Sequence, residues 1–328
     1  MSSARVLYVH ITGVSSEILK NLVLAGVRAA ICDGRPYPSA VATMPSSFLP
    51  PGERIALPPT STNLPPEAAL DETGTEGDGP KKKARLTTVA RAMQPYVHEL
   101  NPLLEECEIN ENSIEEVQDE YFAKFDIIIA SHIGINQALR IAAAATTSGG
   151  KFYLVDTFGL CGCAAMDLGK NHEFRIEQGK KLSDVTKLST YTSLKEMMNM
   201  KLDEATGRFD KKPPKIWATY RSFLAYEAEE GKFPSTENAN NFAEKTMKWL
   251  DSCDNDIVGK TYLGSESDLK HLSSLASAEV SPVCAVLGGM VGNEVIKAIS
   301  GKGEPANNIL MFDGSDGSCR NFLLKPAT

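Results

Sequence analysis

The opening of this chain constrains its fold more than any other feature, because its first 33 residues read as strand, turn, helix and strand. Arg5-Val6-Leu7-Tyr8-Val9 is a β-branched and aromatic run of the kind that packs on a pleated surface. Thr12-Gly13-Val14-Ser15-Ser16 is a turn rich in helix-capping residues, and Ile18, Leu19, Leu22, Val23 and Ala25 then recur at helical spacing until Gly26 closes the helix. Ala29-Ala30-Ile31-Cys32-Asp33 is a second short apolar strand. Strands joined by a helical crossover lie parallel, so the opening predicts an α/β protein with a doubly wound, Rossmann-like, mostly parallel sheet.

The alternation continues, with two interruptions. A helix is expected over 87–100, ended by Asn101-Pro102, then a strand over 125–130, a helix over 136–146 and a strand over 152–156. From about 170 to 270 the strand signal fades, and helices are expected at 194–203, 216–229 and 237–251, separated by Pro213-Pro214 and Pro234. A helix over 283–300 and a strand over 309–313 restore the pattern. The expected organisation is one α/β domain built from 1–169 and 271–328, carrying a helical insertion domain at 170–270. The other interruption, 36–83, holds ten of the 18 prolines and the polar run 71–79, so it cannot bury enough apolar surface to offset its ordering entropy. It is expected to be a mobile insertion.

Charge and cysteine content serve as exclusions. The 34 basic and 42 acidic residues leave a formal charge of −8, which gives no overall drive toward nucleic acid. Lys81, Lys82 and Lys83 form the one clear basic run, and it reads as a solvated loop. Seven scattered cysteines describe reduced thiols and not a disulfide framework. The N-terminal residues lack the pattern of a signal peptide, and no run reads as long enough to span a membrane. A soluble intracellular protein with no nucleic-acid or membrane partner is the expectation.

In a doubly wound fold the first turn binds phosphate, because its glycines let backbone N–H groups approach at a helix N-terminus. Here a GxGxxG frame puts His10 and Ser15 where the outer glycines belong and keeps only Gly13. The His10 ring and the Ser15 side chain are expected to obstruct phosphate even if the backbone keeps its shape. Asp33, at the end of the second strand, stands where an acid binds ribose hydroxyls, so Gly13 and Asp33 mark a degenerate nucleotide site. The loop after strand 125–130 offers His132 and no carboxylate for a metal ion. Cys161 and Cys163 lack the spacing and the second pair that zinc requires, and Cys253 sits among Asp251, Asp254 and Asp256, which disfavour a thiolate. No catalytic residue and no metal site is therefore expected. The helix over 283–300 is apolar on nearly all sides yet carries three glycines, and glycine costs about 1 kcal/mol per helical position. Close approach of another backbone follows, either within the fold or across a subunit interface formed by Cys284, Gly288, Gly289, Gly292, Asn293 and Lys297.

Several blocks together resemble the ThiF-type adenylating family, the activating enzymes for ubiquitin-like proteins. They are 17–27 after the first turn, Leu100-Asn101-Pro102, Val155-Asp156-Thr157-Phe158-Gly159, Ser281-Pro282-Val283-Cys284-Ala285-Val286-Leu287-Gly288-Gly289, 294–300 and 307–314. In that family two homologous halves pair with pseudo-twofold symmetry, and only one binds ATP. The resemblance is to the degraded, non-thioester half. An active half would carry glycines at His10 and Ser15, a basic residue at Val89 and an Asp at His132. Family members usually place an RQIRLWG-like run ahead of the first strand, whose first arginine reaches the partner's ATP. This sequence starts at the strand, so that contribution is expected to be missing.

The resemblance implies a regulatory or structural subunit that supports adenylation and thioester transfer by a larger catalytic partner. The modifier would be SUMO or a related ubiquitin-like protein. ATP and Mg²⁺ would sit on the partner, with no cofactor on this chain, and residence would be nuclear as well as cytoplasmic. The alternatives are a self-sufficient ThiF-type adenylating enzyme, the corresponding subunit for NEDD8 and, from the fold alone, a nicotinamide-dependent oxidoreductase.

Overall fold

The computed structural model describes residues 4–37, 87–179, 181–206, 212–253 and 258–325. The insertion expected at 36–83 lies almost wholly outside them, as do Lys81–Lys83, Asp254 and Asp256.

The opening forms β1 (Arg5–Val9), α1 (Gly13–Leu24) and β2 (Arg28–Cys32), and Gly26 supplies the left-handed residue, φ +82°, that ends the helix. There follow α2 (Val89–Leu100), β3 (Glu108–Asn110), the short α3 (Asp119–Phe122), β4 (Ile127–Ala130), α4 (Ile135–Thr147) and β5 (Lys151–Phe158). A hairpin leads into β6 (Cys161–Asp167), and β11 (Ile309–Asp313) and β12 (Ser318–Phe322) close the sheet. The eight strands lie in the order β12-β11-β6-β5-β4-β1-β2-β3. β3, β2, β1, β4 and β5 are parallel, whereas β6, β11 and β12 add on antiparallel. The fold class is thus the α/β, largely parallel one expected.

β6 was not expected, because Cys161-Gly162-Cys163-Ala164-Ala165-Met166-Asp167 lacks the β-branched residues of a strand. Its small side chains are required from outside. A Cβ on Gly162 would stand 2.6 Å from Leu287 Cδ2, and Gly159 opens the two-residue turn with φ +60°.

Alternate residues of β1 feed two cores. Val6 and Tyr8 join Leu19, Met93, Leu287 and Val291 on the face covered by α1, α2 and α9 (Ser281–Ser300). Leu7 and Val9 join the other face, under α4. The segment 170–270 begins with the short strands β7 (Glu173–Phe174), β8 (Glu177–Gln178), β9 (Lys181–Leu182) and β10 (Thr186–Lys187). It continues as α5 (Leu194–Asn199), α6 (Lys215–Glu230), α7 (Ala239–Ser252) and α8 (Glu266–Leu275). Met197, Trp217, Tyr220, Phe223, Phe242 and Leu269 of these helices belong to the same cluster as Ile128, Phe152 and Met311 of the sheet. The segment therefore thickens one layer of the α/β fold and encloses no core of its own among the described residues.

α9 corrects two expectations. It is 20 residues long and holds an 18-residue stretch of mean hydropathy 1.4, enough by length and composition for a membrane span, yet it packs against α1 as a core helix. The close backbone approach inferred from its glycines is within the chain. A Cβ on Gly288 would stand 2.6 Å from Glu17 Cβ and 3.2 Å from the Val14 carbonyl oxygen. Cys284 and Gly292 share that inward stripe, so Cys284, Gly288 and Gly292 are not available to a partner.

Candidate functional site

In this strand order the crossovers diverge between β1 and β4, which opens a crevice at the carboxyl ends of the parallel strands, where doubly wound folds hold their ligands. His132 lines it, and His10, Gly13 and Asp33 lie in the turn and strand end beside it. What the sequence did not reveal is that nearly every polar group there is already engaged.

His10 adopts φ +61°, a left-handed conformation natural to glycine and tolerated by histidine. Its ring nitrogen Nδ1 lies 3.2 Å from the His132 carbonyl oxygen. Burial, reinforced by the nearby Arg35 charge, holds its imidazole down at about 4, so it is neutral and offers no cation to a phosphate. Ser15 forms a capping box with Thr12, its hydroxyl accepting from Thr12 N–H at 2.7 Å and lying 3.2 Å from the His10 carbonyl oxygen.

Asp33 is fully buried and cannot face a ribose. Arg35 grips both carboxylate oxygens, at 2.8 and 2.6 Å, and Ile11 N–H donates to Oδ2 at 2.8 Å. Burial by itself would raise its pKa, but the hydrogen bonds and charge of Arg35 outweigh burial and hold it below the usual range. Val89, where a basic residue would be needed, is completely buried, and its N–H donates to the Arg35 carbonyl oxygen.

Across the crevice, Asp156 at the end of β5 accepts from Ser131 Oγ, His132 N–H and the Tyr220 hydroxyl, at 3.1, 2.6 and 2.5 Å. The His132 ring stacks on Phe233 at 4.2 Å and its Nε2 lies 3.3 Å from Ser277 Oγ. Burial lowers its pKa against the pull of Asp156. The two helix N-termini that face the crevice are each capped by a carboxylate of the same chain: Gly13 N–H of α1 donates to Glu279 Oε1 at 2.7 Å, and Ile135 N–H of α4 donates to Glu227 Oε2 at 3.0 Å. Burial pushes Glu279 up to about 7 and also raises Glu227. The space left between Thr12, Ser131, Asp156, Ser277 and Glu279 is about 20 Å³, room for roughly one water molecule. These residues do not fit a nucleotide polyphosphate.

Away from the crevice, Cys163 is fully buried, and burial raises both its thiol and that of Cys253, so neither is an activated nucleophile. On α9, Gly289 faces open space, Asn293 is exposed, and Lys297 is paired with Glu294 at 2.7 Å. Sequence reasoning missed Arg35, Glu227, Tyr220 and Glu279. A cation two residues beyond a strand-end acid was a usable signal for Arg35. Glu279 lies 266 residues from Gly13, and no local pattern could have paired them.

The fold and this crevice define a doubly wound α/β protein of nucleotide-binding architecture whose phosphate turn is filled from within. No family model matches the chain. It is similar to SUMO-activating enzyme subunit 1B-1 of Arabidopsis thaliana, 26% identical over 325 residues that span 97% of this chain and 88% of that protein. SUMO-activating enzyme subunit 1 of Dictyostelium discoideum is 23% identical over 97% of this chain and 86% of its own length, and that of Xenopus laevis 26% identical over 96% and 87%. The chain resembles SUMO-activating enzyme subunit 1 from plants, animals and Dictyostelium along nearly its whole length.

Proposed function

We propose that this chain is the small, non-catalytic subunit of a heterodimeric SUMO-activating enzyme, supporting adenylation and thioester transfer by a larger partner. The observation that carries the reading is the similarity, over 96–97% of this chain, to SUMO-activating enzyme subunit 1 proteins. The crevice supports the non-catalytic part, because its turn, its acid and its helix termini are engaged within the chain. ATP and Mg²⁺ are accordingly assigned to the partner, and nuclear residence belongs to the same reading. The outward face of α9, with Val286 at 44% exposure beside Gly289 and Asn293, is the surface offered to that partner.

The test is SUMO-driven ATP–pyrophosphate exchange with this chain alone, the large subunit alone and the two mixed. Exchange that requires the mixture is expected. Exchange by this chain alone would overturn the reading in favour of a self-sufficient adenylating enzyme.

A further inference from the structure

We propose that Glu279 is a built-in substitute for a ligand oxygen: its carboxyl group seals the N-terminus of α1, the position at which folds of this type dock phosphate, and the connector that carries it is a strap holding the crevice shut. The inference does not depend on the identity of any partner.

The geometry supports it in three ways. First, Thr12 and Ser15 satisfy one another through the capping box, and Gly13 N–H, a further donor of the first turn, is taken by Glu279 at 2.7 Å. A carboxyl oxygen at that point accepts the N–H that a phosphate oxygen would otherwise take. Second, the strap from Ala276 to Val280 is pinned to the end of each central strand. Glu279 holds the loop after β1, Ser277 Oγ lies 3.3 Å from the ring of His132 after β4, and the Ala278 carbonyl oxygen accepts from Gly159 N–H after β5 at 2.8 Å. Third, the same solution recurs at α4, where Glu227 caps Ile135 N–H and a Cβ at Gly134 would stand 2.4 Å from its Oε1. Because the strap leads directly into α9 at Ser281, the closed crevice and the outward face of α9 are parts of one continuous segment.

Glu279→Ala removes the resident acceptor while leaving the turn, and Glu279→Gln retains an oxygen that can accept from Gly13. The full chain of each form is melted in sodium acetate, in inorganic phosphate and in chloride at equal ionic strength. The alanine variant is expected to gain about 2 °C in Tm at tenfold excess of acetate or phosphate over its dissociation constant, beyond the chloride control. The wild type and Glu279→Gln should not respond. Amide exchange at Gly13 gives a second readout: protected in the wild type and in Glu279→Gln, fast in Glu279→Ala, and slowed again by the anion. A response of the wild type equal to that of the alanine variant, or a folded alanine variant indifferent to both anions, overturns the proposal. If Glu279→Ala does not fold, rapid exchange of Gly13 in the wild type overturns it as well.

Discussion

Asp33 and Glu279 show how one functional group, the carboxyl, acquires opposite electrostatic roles around one crevice. Asp33 is buried with a cation gripping both oxygens, so its ionised form is the one the fold accommodates. Asp33→Ala would leave Arg35 and Ile11 N–H unpaired and is expected to cost about 3 kcal/mol, read from urea unfolding midpoints at neutral pH. Its contribution is present above the ordinary carboxylate range and is lost as pH falls through its depressed value. Glu279 behaves in the reverse sense. Burial favours its protonated form, so its contribution is complete below its ordinary value of about 4.5 and is lost as pH rises through about 7. Glu279→Gln does not titrate, and it should become progressively more stable than the wild type between those pH values, by about 1–2 kcal/mol at pH 8. A stability difference that stays constant over that range would refute the assignment of the titration to Glu279.

At the scale of elements, α9 separates two kinds of glycine that look alike in sequence. Gly288 exists because α1 leaves no room for a Cβ, whereas Gly289 faces open space. Gly288→Ala is expected to destabilise the isolated chain by about 1–3 kcal/mol through overpacking against Glu17 and Val14. Gly289→Ala should stabilise it by about 0.5–1 kcal/mol, since only backbone entropy is at stake. Thermal melts of the pair decide the matter, and equal effects at both positions would contradict the observed packing. A mean hydropathy taken along this helix cannot tell these faces apart, which is why its composition passes for a membrane span.

At the scale of the whole molecule, the helices of 194–275 and the sheet share one apolar cluster, so they are expected to unfold together. Both tryptophans, Trp217 and Trp249, lie in those helices, whereas the strand signal comes mainly from the sheet. Tryptophan fluorescence and far-ultraviolet circular dichroism should therefore give coincident urea transitions. Separate transitions would show that the helical segment is an independent domain, as the sequence had it.

The sequence by itself determined the βαβ opening, the alternation that makes the sheet largely parallel and the location of the crevice, because these depend on periodicity and on turn residues only a few positions apart. It also showed, through His10 and Ser15, that the phosphate turn is altered. Only the tertiary structure decided that β6 is a strand, that Cys284, Gly288 and Gly292 face α1, and that Asp33 is committed to Arg35. It alone brought Glu279 to Gly13 and Glu227 to Ile135. The physical reason is the same throughout: these outcomes depend on what lies across a packed contact, and a carboxyl group that caps a helix 92 or 266 residues away leaves no mark on its own neighbourhood.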